Sequence, residues 1–435
     1  MAAAVYMSSA SEVKFEMKAP AMRHLNTPAS KIANWAFLML FPGFFFYHTA
    51  LGLRVIPPLL GGFFSPVCIA MAPILCAVYA IGLYREKNAH TGVDQAFFGF
   101  LLYFVFIIAV NSVFFDADER VVTSHLVAIL HFIVVFIVFK FARFDTGTMR
   151  ATVLLCWLTM TALIFNLAND GFFYLREQDP GIDHEYVATY QGFGRSYLVM
   201  FLVLIPFIKS IPARLSVYLI AVAALFVNGS RSDFAGAILA IAVLELLNAK
   251  HKLFVVVLAA SCIAFFNMQA ADTLGIFPEN RTLELLDFSA ASSWEGRNVA
   301  FAHAIETIVK SPWLGGYGSH FDIGGEGEYA HNILSAWVDL GFIGFAWLVL
   351  LLTVPLCALA KRLLSSGPTA RSAEPLLPLS LIVVTIFLLC TTKEFTYMLI
   401  GAALGAYTQY QQRVRQATCI SPTGYTTCRP TQSFS

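Results

Sequence analysis

The feature that most restricts this chain is the recurrence of apolar runs about as long as a hydrocarbon core is thick. A helix needs ~20 predominantly apolar residues to cross such a core. Runs of adequate length fall near 33–53, 59–84, 95–115, 121–142, 149–168, 196–212, 214–229, 232–249, 252–270, 332–360, 375–392 and 395–411. Lipid offers the backbone no hydrogen-bonding partner, so each run has to satisfy its N–H and C=O groups internally, as a helix. The expected fold class is all-α: a polytopic integral membrane protein of about 12 transmembrane helices, with a large extracytoplasmic loop carrying an amphipathic helix. The three runs between 214 and 270 are short and closely spaced, and a re-entrant or misjoined segment among them would invert everything that follows.

Composition agrees with a lipid solvent: 58% of residues are hydrophobic and only 13% charged. A net charge of +1 supplies no global field to draw nucleic acid or another polyanion. The distribution of charge carries the information instead. With the N-terminus inside, 19 of the 28 Lys and Arg fall in cytoplasmic segments and 9 on the opposite side, which supports both ends lying inside. The chain then divides into a cytoplasmic arm (1–32), a transmembrane helical domain (33–411) and a cytoplasmic tail (412–435). The arm has no short apolar core with a small-residue cleavage site, so it reads as retained rather than as a signal peptide. Six of the eight cysteines lie in apolar runs, where a thiol is a small hydrophobe, and Cys419 and Cys428 have no metal-ligand spacing.

This orientation makes the loops near 169–195 and 271–331 extracytoplasmic, and the second is too long for a simple connector. Within it, Glu295 to Ser311 sets Val299, Ala302, Ile305, Ile308 and Val309 on one face at helical spacing, an amphipathic helix for the membrane or for the bundle. Pro312 stops it, and glycines at 315, 316, 318, 324, 325 and 327 permit tight turns before the next run.

Charges beside membrane spans are expensive, which singles out four positions on the outer face. Arg195 follows Gly192 and Gly194 at the start of the sixth run. Arg231 lies in Asn228-Gly229-Ser230-Arg231-Ser232-Asp233, Arg297 begins the amphipathic helix, and His331-Asn332 opens the tenth run. Guanidinium forks suit phosphate oxygens, and an imidazole takes a proton near neutral pH. The set fits a lipid-diphosphate sugar donor whose leaving group needs charge neutralisation. Each residue also has a plainer reading. Arg231 fits a snorkelling helix end or a pair with Asp233, Arg297 a pair with Glu295, Arg195 an interfacial anchor, and His331 a helix-start histidine bonded to backbone. His125 and His131, inside a run, read as packed between helices. Asp116-Ala117-Asp118 matches a two-carboxylate metal pattern, but any short polar loop produces it.

Two stretches resemble the bacterial O-antigen ligase and Wzy-type polysaccharide polymerase superfamily. One is Asn228-Gly229-Ser230-Arg231-Ser232, similar to a Ser-Arg-Gly signature with Ser232 in the glycine's place. The other is Gly296-Arg297, a helix, Ser311-Pro312-Trp313-Leu314-Gly315-Gly316-Tyr317-Gly318, then His331-Asn332 and Gly341-Phe342-Ile343-Gly344. The resemblance covers about 228–344. It implies a GT-C-type glycosyltransferase of the bacterial inner membrane, acting at the periplasmic face with neither cofactor nor metal. Its donor and acceptor would be undecaprenyl-diphosphate-linked glycans, and its partners the lipid bilayer with chain-length regulator and flippase proteins. By position, Arg231 and Arg297 would hold the diphosphate and His331 would activate the acceptor hydroxyl. Arg195, Asn332, Gly316 and Gly318 would serve substrate binding. Gly-Gly-Tyr-Gly with Trp337-Val338-Asp339-Leu340-Gly341 looks more like a polymerase than like an O-antigen ligase, which transfers the chain to lipid A-core. A transporter or flippase, the main competing class, would place charges or broken helices near the bilayer midplane. A receptor or scaffold would tolerate loss of Arg231.

Overall fold

The computed structural model describes residues 27–60, 62–85, 90–169, 171–173, 175, 187–248, 292–322, 332–365 and 374–419. Among them, regular structure is helical throughout, with one isolated bridge between Asn169 and Phe172. In chain order the helices are α1 (Pro28–Gly52), α2 (Phe64–Arg85), α3 (Gly92–Phe114), α4 (Glu119–Phe141), α5 (Gly147–Leu167) and α6 (Tyr190–Leu204). They continue with α7 (Ile211–Asn228), α8 (Arg231–Asn248), α9 (Ser292–Lys310), α10 (Leu334–Ser365), α11 (Leu376–Thr391) and α12 (Leu399–Cys419). Seven of these, α1 to α5, α7 and α10, are long and apolar enough to cross a membrane, and α11 is a shorter apolar helix. The apolar run at 252–270 lies outside the described residues.

Local chemistry explains where the boundaries differ from the apolar runs. Thr27 caps α1, its hydroxyl oxygen accepting from Ser30 N at 3.2 Å, so the helix starts inside the expected arm. Pro42 has no N–H to give the ladder, and the helix widens into a π turn at Met39–Gly43. Pro57, Pro58 and Gly62 keep 53–60 out of helix, and α2 begins only at Phe64. The last helix runs past the expected tail boundary to Cys419.

α4 is the central column: 56% of its apolar window is buried, against 17% for α2 on the periphery. α12 lies directly along it. A Cβ on Gly401 would sit 2.7 Å from the Phe132 carbonyl oxygen, and one on Gly405 2.4 Å from that of Phe136, so the two backbones touch as small-residue helix interfaces allow. α6 is only 15 residues long, but Ser196 through Leu204 are all buried, which makes it a helix surrounded by protein.

One end of the bundle is closed by paired charges. Lys140 Nζ lies 2.5 Å from Asp94 Oδ1 with both side chains fully buried, and Asp94 also completes a capping box with Thr91 at the start of α3. Gln409 Nε2 donates to the carbonyls of Lys140 and Ala142, and Asp145 is held by Arg143 at 2.9 Å and Arg413 at 3.3 Å. Burial pushes the Asp145 carboxyl up, but the two guanidinium groups outweigh it and leave it below its ordinary range. Arg214 and the Tyr218 hydroxyl both bond Glu245 at this same end, at 3.0 and 2.7 Å.

The expected amphipathic helix is α9. It packs on the bundle through Ala300, Ala304 and Ile308, which meet Val338 and Trp337 of α10, and leaves Val299, Ile305 and Val309 exposed. The buried face is therefore rotated from the expected one, because alanines let the two helices approach closely.

Candidate functional site

At the opposite end, five segments surround a cavity of about 790 Å³. They are the last turns of α1, the start of α2, the first half of α4, residues 187–195 and residues 392–398. Its size is that of a small-molecule site, which typically spans about 300–1,000 Å³.

Arg195 is the central polar group. It lies in the second turn of α6, which starts at Tyr190, six residues before the apolar run. The glycines before it are needed for packing. A Cβ on Gly192 would sit 2.9 Å from Phe44 Cζ, and one on Gly194 would sit 2.6 Å from Ser230 Cβ and 2.7 Å from Asp233 Oδ2. α6 is thus pressed against α1 on one side and against the Asn228–Asp233 turn on the other. The left-handed Gly229 (φ 73°) ends α7 and makes that turn possible.

The Arg195 guanidinium lies over two aromatic faces, 5.3 Å from the Phe44 centroid and 5.2 Å from that of Phe64. Its Nε is buried without a hydrogen-bond partner among the described residues. The nearby Asp233 supports it through charge: one carboxylate oxygen accepts from the Ser230 hydroxyl, and the other has no hydrogen-bond partner among the described residues. The guanidinium is thus held by two rings and by the charge of Asp233, and it lines the cavity.

Residues 393–398 form another wall. Lys393 Nζ donates to Gln191 Oε1 at 2.7 Å, bridging to the start of α6. Burial pushes the Glu394 carboxyl up, with the Thr396 hydroxyl and Lys393 opposing. The Tyr397 phenol is pushed well above its usual range, first by burial and then by Asp233, so it remains a hydroxyl donor. From α4, His131 lines the cavity, with Nε2 3.1 Å from Ser65 Oγ. As expected, the ring packs between two helices, α4 and α2, and it also borders the cavity. His125 also packs that way, with Nδ1 3.0 Å from the Tyr317 hydroxyl.

The second motif stretch docks beside this wall. Asn332 Oδ1 accepts from Leu334 N at 2.9 Å and caps α10, and Ser335 Oγ accepts from Phe395 N at 2.9 Å, tying the start of α10 to the 392–398 segment. Gly315 (φ 73°) and Gly341 (φ 68°) let the 311–318 segment dock on a kink in α10, where a Cβ on either would come within 2.2 Å of the opposing carbonyl oxygen. Gly316 N and Gly318 N donate to Val338 O and Asp339 Oδ1 at 2.7 and 2.8 Å, so both glycines lie outside the cavity wall, one layer behind it. Asp118 caps α4 and pairs with Arg120 at 3.0 Å, the structural role for the Asp116-Ala117-Asp118 pattern.

The structure thus gathers Arg195, the turn bearing Arg231, and Asn332 at one end of the bundle. Arg231 itself is half-buried at the first residue of α8, outside the cavity wall. His331 and the side chain of Arg297 fall outside the described residues. Sequence reasoning missed Ser65, Gln191, Lys393, Glu394 and Tyr397. The one available signal was Lys393-Glu394, a charged pair confined to a few residues between two apolar runs. No family model matches the chain, and no curated protein matches it significantly.

Proposed function

We propose that the protein is a membrane glycosyltransferase that polymerises undecaprenyl-diphosphate-linked oligosaccharide repeat units, an O-antigen or exopolysaccharide polymerase working at the periplasmic face of the bacterial inner membrane. The observation that carries this reading is Arg195: a buried guanidinium whose Nε has no hydrogen-bond partner among the described residues, lining a cavity of about 790 Å³ that Lys393 also lines. Two cations lining one hollow suit a multiply charged anion. At an effective dielectric of ~20, one unit charge at ~4 Å contributes on the order of 4 kcal/mol. A lipid diphosphate is such an anion, and its aromatic surroundings, Phe44, Phe63 and Phe64, suit a sugar face or an acyl neighbour.

In this reading Arg195 and Lys393 neutralise the diphosphate as it leaves. Arg231 and Arg297 supply further contacts to the head, and His331 takes the proton from the acceptor hydroxyl. The acceptor oxygen bonds the anomeric carbon, the bond from that carbon to the phosphate oxygen breaks, and the electron pair leaves on the lipid diphosphate. The donor is already activated, so no nucleotide sugar is consumed.

The test uses purified protein in detergent with lipid-diphosphate repeat units. Elongation without nucleotide sugar is expected, and Arg195→Ala should lower it by at least ~10²-fold while leaving thermal unfolding close to wild type. Full turnover by Arg195→Ala would overturn the assignment. Polymer carried to a lipid A-core acceptor, with single repeats left unjoined, would identify a ligase instead.

A further inference from the structure

The cavity contains a polar pair that the chemistry above leaves unused. His131, on α4, has Nε2 3.1 Å from Ser65 Oγ at the first turn of α2, and both line the cavity. The imidazole stands edge-on to Phe64, 5.0 Å between centroids, and the face of that same ring carries Arg195 at 5.2 Å. One aromatic ring is therefore flanked by a permanent cation and by an imidazole.

The other titratable groups around His131 can be named element by element. α6 presents Arg195, α1 presents His48, α2 presents the Cys68 thiol, and the 392–398 segment presents Lys393, Glu394 and Tyr397. α12 meets α4 at this level through Gly401 and contributes no charge. His48 is committed to the backbone, its Nδ1 accepting from Ala188 N at 3.1 Å. Arg195, partly offset by Asp233 of α8, sets a positive field on this side of the cavity. An entering phosphate head reverses the sign of that field.

We propose that His131, steered by Ser65, is a binding residue for the anionic head and takes up one proton from solvent as the head enters. This rests on the reading of the cavity as a phosphate-head site. In the neutral tautomer whose Nε2 carries no proton, the imidazole accepts the Ser65 hydroxyl proton there. Protonated, Nε2 becomes the donor to Ser65 Oγ, and the Ser65 hydroxyl is released to donate to a phosphate oxygen alongside Arg195. Binding and protonation reinforce each other, so affinity falls as pH rises through the imidazole range, by up to about tenfold per pH unit for one linked proton.

The experiment is calorimetric titration of the full chain in detergent with farnesyl diphosphate, inorganic pyrophosphate and farnesol, between about pH 6 and 8, in pairs of buffers with different ionisation heats. Wild type is expected to take up about one proton more per diphosphate bound than His131→Gln, and to lose affinity faster as pH rises. Titration of the ligand itself is common to both proteins and cancels. Ser65→Ala, which keeps the imidazole, should weaken binding about 2- to 10-fold and retain the proton uptake, a readout that stands if His131→Gln does not fold. Pyrophosphate binding with the same linkage would locate the effect in the head rather than in the chain. Equal proton counts and pH slopes in wild type and His131→Gln would overturn the proposal while leaving the phosphate-head reading intact. Binding of farnesol equal to that of farnesyl diphosphate, or no binding of either diphosphate by wild type, would overturn both.

Discussion

Gly194→Ala tests whether the contact behind Arg195 sets its position. The added methyl would lie 2.6 Å from Ser230 Cβ, 2.7 Å from Asp233 Oδ2 and 2.9 Å from Asn228 Nδ2. Ordinary carbon contacts begin near 3.5 Å, so α6 and the Asn228–Asp233 turn must separate by about 1 Å. None of these three neighbours is the free end of a long side chain, and Ser230 and Asp233 are bonded to each other. Overpacking of this kind costs about 1–3 kcal/mol. The displacement passes to the next residue, Arg195, and a ~1 Å misplacement at a reacting group lowers rate on the order of 10²-fold. Gly147→Ala is the control, because a Cβ there meets nothing within 4 Å. The assays are thermal unfolding in detergent and diphosphate binding or glycan elongation. Gly194→Ala should unfold at lower temperature than Gly147→Ala and lose most of its function. A Gly194→Ala protein indistinguishable from the control in both would refute the idea that this packing positions the guanidinium.

Three further outcomes are expected. Lys140→Met leaves Asp94 buried and unpaired and should cost about 3–5 kcal/mol, whereas Lys140→Met with Asp94→Asn should cost less than the sum of the single changes; additivity in equilibrium unfolding would argue against the pair. Asp145→Asn should destabilise at neutral pH, and because the folded-state carboxyl is depressed, the difference from wild type is full above the unfolded value near 4 and closes as pH falls through the lower folded value; a pH-independent difference would contradict this. Gly341→Ala forces a side chain into a left-handed position 2.2 Å from the Trp313 carbonyl oxygen, and should detach the 311–318 segment from α10, read as increased proteolysis or hydrogen exchange confined to those residues.

Helix existence was legible wherever lipid leaves no alternative to internal hydrogen bonding, and every apolar run that the structure describes coincides with a helix. Helix edges were not, because they depend on caps and breakers. Tyr190 to Arg195 looks polar and glycine-rich, yet it is the first turn and a half of α6, since its glycines fit against two neighbours. Arg195 was legible as a charge beside a span, but its seat over Phe44 and Phe64 beside Asp233 is a three-dimensional fact. His131 was legible as a histidine packed between helices, but periodicity within a run says which residues share a helix face, not whether that face also borders a void. Lys393 entered the orientation count as one positive charge, and nothing local marked its reach to Gln191, 202 positions away. Asn332 was singled out for a resemblance, and its cap on α10 explains why the type is asparagine there.

The backbone contact between α4 and α12 has a mechanical consequence. Where Gly401 and Gly405 sit against the carbonyls of Phe132 and Phe136, no side chain is present to shear, so this pair behaves as a keel. Its extensions carry two walls of the hollow, Ser124 to His131 on one member and the loop through Lys393 and Tyr397 on the other. Those walls share one base, whereas α1, α2 and α6 meet around the hollow through aromatic rings.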